Sequence, residues 1–291
     1  MNDNLRIASP PHIRSKMKIS SIMIYMIIGL LPTVVLSVYS FGIVALKNIG
    51  ITLVSAALSE YIFEKIFRKK VSIGDLRSVL YGLLLALSLP IHTPWWICMI
   101  GGIFAVLVLK PIKYIHPVLG TKVLFAIIFF DILHITSAPL QQLTGGESVD
   151  LLNMMLGNTN GAIGTTSMIA ILLGGAFLIL MEVIDVRTPV AYILTFVAYV
   201  MLFSERGLDV VYLVAQICGE SLMFGAWFMA TDYETSPISK SGKIISGILM
   251  GILTGVARIH LGMSDGVAIS ILIVNLLVPF IEWLTRPLKK K

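Results

Sequence analysis

The sequence predicts an all-α integral membrane protein of about ten transmembrane helices in two five-helix halves. Three observations carry this. The 291 residues are 57% hydrophobic and only 13% charged, with a mean hydropathy of +0.92. Soluble domains carry about 25% charged residues, so this chain could not cover a water-facing surface. The apolar residues gather into runs separated by Pro, Gly or charge, many near the roughly 20 residues a bilayer requires. Lys and Arg fall almost wholly in alternate connections between those runs.

The elements follow in order. Residues 1–18 are polar and basic and carry no small-residue cleavage pattern, so we expect a cytoplasmic segment and no signal peptide. Apolar runs at 19–38, 48–67, 76–89, 95–110 and 119–136 make a first repeat, 19–136. The third run is short, starting after Gly74 and Asp75 and stopping at Pro90. A half-helix ending in irregular backbone is tolerated at membrane depth only when protein or a cavity surrounds it. Residues 137–166 are an external loop. Runs at 167–185, 189–203, 210–229, 244–260 and 266–284 make a second repeat, 167–284, before a basic tail, 285–291.

Ten spans put both termini on one side. With the amino terminus inside, 19 of the 22 Lys and Arg are cytoplasmic, and only Lys47, Arg206 and Arg258 are external. That bias fixes the orientation. It also accounts for the net charge of +6 without a nucleic-acid partner. Five spans per half is an odd number, so the second half enters from the opposite side and the repeats are inverted, an arrangement that builds a site between the halves. "YGLLLALSLPIHTPWW", 81–96, and "FGAWFMATDYETSPIS", 224–239, share an order of Gly, apolar turns, Thr and Pro at equivalent places. They read as paired breaks pointing toward the interior; the alternative for 224–239 is an ordinary polar loop.

Stretches spread along nearly the whole chain resemble one family. "SPPHIRSK" (9–16), "SIGDLRSVLYGLLLALSLP" (72–90), "LGNTNGAIGTTSMIAILLGG" (156–175), "GAWFMATDYETSPISKSGK" (225–243) and "DGVAISILIVNLLVPFIEWLTRP" (265–287) resemble the D subunit of Rnf complexes. That subunit is related to the B subunit of the sodium-pumping NADH:quinone reductase. The resemblance implies a urea-transporter-like fold of inverted five-span repeats in the prokaryotic cytoplasmic (inner) membrane. It implies a membrane flavoprotein of a translocase that passes electrons between ferredoxin and NAD and moves Na⁺ or H⁺. Partners would be other membrane and peripheral subunits, including flavin and iron–sulfur subunits; the isolated chain would have little activity. FMN is attached in that family through its phosphate to a loop threonine in a Ser-Gly-Ala-Thr motif. Here the loop reads "QQLTGGESVDLLNMMLGN", 141–158, which puts Ser148 in the threonine's place with Thr144 nearby. FMN held without a covalent bond is one alternative; the other is no flavin at all, on a transporter- or channel-like or scaffold subunit of the same fold. The family's Asn-Pro-Ala-Leu motif is "HPVLGTKVL", 116–124, which keeps Pro117 and Leu119 and lacks the Asn.

The remaining chemistry is read residue by residue. Gly161 and Gly164 let backbone approach a ligand, and Thr165-Thr166-Ser167 opens a helix where a flavin phosphate could sit. The simpler reading is a helix cap from Thr165 or Thr166. Glu220, central in 210–229, reads as an ion or proton relay, or as a protonated carboxyl bonded to a neighbouring helix; the family tends to have glycine there. Asp131 and His134 share a helix face, as an exit relay or as interfacial residues. Asp232 and Glu234, with Thr235 and Ser236, suit a cation or a flavin. Glu60 and Glu64 near Lys65 and Arg68, and Glu182 and Asp185 near Arg187, read as ion-paired helix ends. Asn275 reads as helix–helix glue. Cys98 and Cys218 read as buried thiols, and no metal site is expected. No GxGxxG, P-loop, HExxH or nucleophile elbow occurs, so NAD is not expected to bind this chain.

Overall fold

The computed structural model describes residues 19–66, 76–112, 114–128, 151–157, 161–206, 208–219, 221–263 and 266–285. Ser148, Thr144, Asp131 and Glu220 lie outside the described residues, as do His134 and Asp75. Every regular element described is helical, and each of the ten predicted runs contains helix.

The helices are α1 (Ile19–Phe41), α2 (Ile43–Ile66), α3 (Arg77–Ser88), α4 (Trp95–Phe104) and α5 (Pro117–Ile128). After these come α6 (Leu151–Leu156), α7 (Met168–Leu180), α8 (Arg187–Phe203), α9 (Val210–Cys218), α10 (Leu222–Phe224), α11 (Lys240–Ile259) and α12 (Gly266–Thr285). Two of them wind into π-helical turns, α4 into Ala105–Leu109 and α10 into Gly225–Met229. Among the described helices, α1, α2, α11 and α12 are long and apolar enough to cross a bilayer, and α9 with α10 would make a fifth as one span bent by 58°. Five shorter apolar helices accompany them.

Their outward faces are greasy. Val35 is 63% exposed, Ile43 79% and Leu194 64%. In water such a girdle would be costly, and in lipid it is the normal surface. The chain is a multi-pass membrane protein.

The interior is built by small residues and polar stitches, as helices in lipid require. Gly247 and Gly251 on α11 face α8 so closely that added Cβ atoms would lie 2.7 Å from the Thr188 carbonyl oxygen and 2.8 Å from that of Tyr192. The Tyr192 hydroxyl lies 2.6 Å from Thr254 Oγ1, which lies 2.6 Å from Ser270 Oγ, tying α8, α11 and α12 together. Helix α3 is the hub. Ten of its twelve residues are buried, Ser78 and Leu80 through Ser88. Its length, about 18 Å at 1.5 Å per residue, falls well short of a bilayer core of about 30 Å.

Candidate functional site

Both ends of α3 are met by irregular segments from later in the chain, the loop before α7 and the hairpin before α11. At its carboxyl end the chain turns extended at Leu89. The Gly-rich loop docks here. Ile163 N–H donates to Leu89 O at 3.0 Å and Gly164 N–H to Leu87 O at 2.7 Å. Ser37 Oγ of α1 donates to Ile163 O at 2.6 Å. Asn48 Nδ2 of α2 donates to Ile91 O at 3.1 Å, and Thr93 Oγ1 to Pro90 O at 2.7 Å. Thus the backbone groups freed by the break are answered by protein.

This geometry corrects part of the sequence reading. Gly161, Gly164, Thr165 and Thr166 do come together, but Gly164 serves close packing: a Cβ there would lie 2.6 Å from Leu87 Cβ. Thr165 N–H is also engaged, donating to Ala162 O at 3.1 Å. The amides of residues 163–165 are therefore not free to cradle a phosphate. The cap of α7 is neither Thr165 nor Thr166. Ser167 supplies it, its Oγ accepting from Ala170 N–H at 3.3 Å. The described amides of residues 163–165 are thus committed to protein carbonyls and not to a flavin phosphate.

At the amino end of α3 the hairpin 230–239 docks. The π turn Gly225–Met229 closes with Ala230 N–H bonded to Gly225 O at 2.7 Å, and Thr231 Oγ1 donates back to Trp227 O at 2.6 Å. The chain then folds over Asp232, whose carbonyl accepts from Ser236 N–H at 3.1 Å. Glu234 pairs with Arg77 at 2.5 Å and accepts from the Tyr81 hydroxyl at 3.0 Å. Asp232 is 2% exposed, and its Oδ2 accepts from Thr235 Oγ1 at 3.3 Å. Burial pushes the Asp232 carboxyl up to about 6, against the Thr235 hydroxyl and the amides of Glu234, Tyr233 and Thr235, which pull it down. Asp232, Glu234 and Thr235 are thus brought together by the break. They sit at the opposite end of α3 from Gly161–Thr166, so the two groups share a helix but not a pocket.

The surroundings hold features the sequence reading missed or misassigned. Glu60 is buried and pairs with Lys110 and Ser78, joining α2, α3 and the end of α4, whereas the sequence reading set it beside Lys65 and Arg68, the latter outside the described residues. Arg258, read as an external loop charge, is 7% exposed. Its guanidinium donates to Gln216 O at 2.7 Å and Gly219 O at 3.3 Å and lies over the Phe196 ring. It answers the last carbonyls of α9 where a cation is favoured. Asn275 is no glue among the described residues: its amide is 1% exposed and neither polar atom has a hydrogen-bond partner. Asp185 does pair with Arg187 at 3.0 Å, and also with Lys243 at 3.3 Å. Cys98 and Cys218 are free and buried. No group of three metal-binding side chains occurs among the described residues. Most conspicuous is His116, just before α5, which is fully buried with both ring nitrogens unpartnered among the described residues.

Comparisons with known proteins agree over the whole length. The D subunit of the Na⁺-translocating ferredoxin:NAD⁺ oxidoreductase complex of Acetobacterium woodii is 34% identical, over 98% of this chain and 95% of that protein. The D subunit of an ion-translocating oxidoreductase complex of Methanosarcina acetivorans is 33% identical, over 97% and 95%. The D subunit of the proton-translocating ferredoxin:NAD⁺ oxidoreductase complex of Clostridium ljungdahlii is 31% identical, over 97% and 95%. With a family model also matching residues 6–291, the chain belongs to the NQR2, RnfD, RnfE family.

Proposed function

We propose that the chain is the membrane D subunit of an ion-translocating ferredoxin:NAD⁺ oxidoreductase in a prokaryotic inner membrane. It has two inverted five-span repeats with both termini cytoplasmic. It carries FMN on the external loop 137–166 and helps couple electron flow to Na⁺ or H⁺ movement alongside flavin and iron–sulfur subunits. One observation carries the reading: the hairpin after the π turn brings two carboxylates, the buried Asp232 and the more exposed Glu234, against α3. A buried carboxylate beside irregular backbone, with a second carboxylate at its side, is the chemistry of an ion path.

Asp232 would hold or release a proton as the ion passes, since burial pushes its carboxyl up to about 6. Glu234, latched by Arg77 and Tyr81, supplies a negative charge beside it. Thr235 orients Asp232. Glu220 and Asp131 would continue the path toward the outside. FMN, anchored through Ser148 or Thr144, supplies the electron-transfer chemistry, and the protein supplies its position.

One observation favours a flavin-free subunit on the same fold. The loop amides at 163–165 are already bonded, so among the described residues these three offer no phosphate cradle. A visible spectrum of the purified native chain, with fluorescence of the denatured chain on a gel, separates the readings. Flavin fluorescence that survives denaturation and disappears in Ser148→Ala supports covalent FMN at that hydroxyl. A flavin spectrum lost on denaturation supports a non-covalent site. Absence of both signals overturns the flavin assignment.

A further inference from the structure

His116 is fixed between two rigid neighbours. Pro117 starts α5 immediately after it, and the His116 carbonyl accepts from Gly120 N–H at 2.9 Å. The side chain therefore has little freedom and is 0% exposed. A neutral imidazole carries one donor and one acceptor. A buried ring with both nitrogens unanswered by the described residues is an arrangement that apolar packing does not explain.

The ring touches Tyr81 and lies within the electrostatic reach of Glu234. The Tyr81 ring meets it edge-to-face at 5.7 Å, and the Tyr81 hydroxyl carries on to Glu234. Arg77 holds the other oxygen of Glu234, and Asp232 is buried two residues before it. Lys110, on the segment leading to His116, is committed to Glu60 and does not neutralise the hairpin. Two of the three non-glycine residues with positive φ among the described residues flank this place: Leu76 at 56° beside Arg77, and Tyr114 at 68° two residues before His116. Backbone held in that region gathers at working sites.

We propose that His116 is a proton-binding residue of the hairpin site, charging when Glu234 turns from Arg77 to face it. An O–H bond of a hydronium ion entering beside the hairpin breaks and an imidazole N–H bond forms. The site gains one positive charge, which Glu234 balances. Imidazole nitrogen is suited to a proton near neutral pH; hard cations such as Ca²⁺ and Mg²⁺ prefer oxygen.

The closed geometry supports a gated uptake. Burial holds the His116 ring down to about 4, while Glu234 pulls the other way. So with Glu234 latched to Arg77 the ring stays neutral, and freeing Glu234 is what lets it charge. The inference rests on the hairpin being part of an ion path only for its purpose. Its test reads titration without transport, so the two can fail separately.

The test is ¹⁵N-histidine NMR of the full chain in lipid nanodiscs, with His12, His92, His134 and His260 changed to Gln so that His116 alone reports. Arg77→Gln is expected to raise the His116 midpoint by about one pH unit or more, and Glu234→Gln to lower it; a neighbouring opposite charge is worth roughly 1–3 units. His116→Gln in the complete chain removes the signal and confirms its assignment. Equal midpoints in all three forms would overturn the proposal, as would a shift in the same direction for both variants. Should Arg77→Gln not fold, Tyr81→Phe, which removes the hydroxyl that holds Glu234, is expected to move the midpoint upward in the same way. A midpoint unmoved in that variant would equally overturn it.

Discussion

Gly164 offers the sharpest test of how the second half docks on α3. Substituting Gly164→Ala places a methyl 2.6 Å from Leu87 Cβ, 2.9 Å from its Cδ2 and 3.1 Å from its Cγ. Two of these distances are shorter than any real Cβ contact, and the Leu87 Cβ is attached to a helix that cannot give way. The loop must therefore retreat. Retreat stretches the 2.7 Å bond from Gly164 N–H to Leu87 O and the 3.0 Å bond from Ile163 N–H to Leu89 O. Overpacking costs about 1–3 kcal/mol, and each weakened bond about 0.5–1.5 kcal/mol. The sum is roughly 2–4 kcal/mol, since a full retreat relieves the clash while losing the bonds. At roughly 2–4 °C per kcal/mol for chains of 150–250 residues, and somewhat less here, thermal unfolding in detergent should fall by about 5–10 °C. Two controls sharpen the result. Gly161→Ala meets only Thr166 Cγ2 at 3.3 Å and Thr165 Oγ1 at 3.8 Å, and should shift little. Gly50→Ala, in α2 with nothing within 4 Å, should stabilise by about 0.5–1 kcal/mol. A Gly164→Ala melting curve within about 1 °C of the parent would refute the docking argument.

Lys110→Met leaves Glu60 buried without its cation and should cost about 3–5 kcal/mol, while adding Glu60→Gln should recover most of it in a double-mutant cycle followed by thermal unfolding. Asp232→Asn should change the pH profile of stability. The parent's folded-state value, about 6, lies above the ordinary 3.8, so its stabilising contribution is present below about 4 and lost as pH rises through about 6. That loss is at most about 3 kcal/mol, from roughly two pH units at 1.36 kcal/mol each. The variant should therefore gain on the parent between pH 4 and 7 in denaturant titrations, and parallel profiles would contradict the burial of an ionisable Asp232. Arg258→Met strips the bonds to the Gln216 and Gly219 carbonyls and should cost about 2–3 kcal/mol. Faster proteolysis near residue 219 should accompany it, and an unchanged melting temperature would show that the carbonyls do without the guanidinium.

Much of the scaffold could be read from composition and spacing because lipid imposes simple rules. Long apolar runs had to be helical, and the short run ending at Pro90 had to leave a break. The hairpin after Ala230 was also legible, since Asp, Glu, Thr, Ser and Pro in a row cannot continue a greasy helix. What could not be read was partnership. Nothing adjacent in the sequence says that Glu60 reaches Lys110, fifty residues away, because nearer cations at Lys65 and Arg68 satisfy the same pattern. Arg258 looked like a loop charge because its neighbours are near a helix end, yet its long stem carries the guanidinium inward to the carbonyls of α9. The four-residue spacing of Gly247, Gly251 and Gly255 was a readable signal for the close α8–α11 contact that went unused. The Gly-rich loop misled for a physical reason: glycine permits close approach to a ligand and to a neighbouring helix alike, and only the partner's position decides which.

Helix α3 shows why the two halves cannot be treated as separate modules. It is about 18 Å long, so it ends inside the thickness that a full span would cross. Its last carbonyls would then face hydrocarbon, where an unsatisfied backbone group costs several kcal/mol. The loop before α7 removes that cost by donating Ile163 and Gly164 amides to Leu89 and Leu87. At the opposite end, Arg77 is partly buried and needs Glu234 from the hairpin before α11. A chain ending at Ile128 would therefore expose both defects at once. The break that places the buried Asp232 is also the break that joins these segments of the chain. For that reason the hairpin cannot open toward water without loosening Arg77, and any ion or proton that draws Glu234 away acts on that joint.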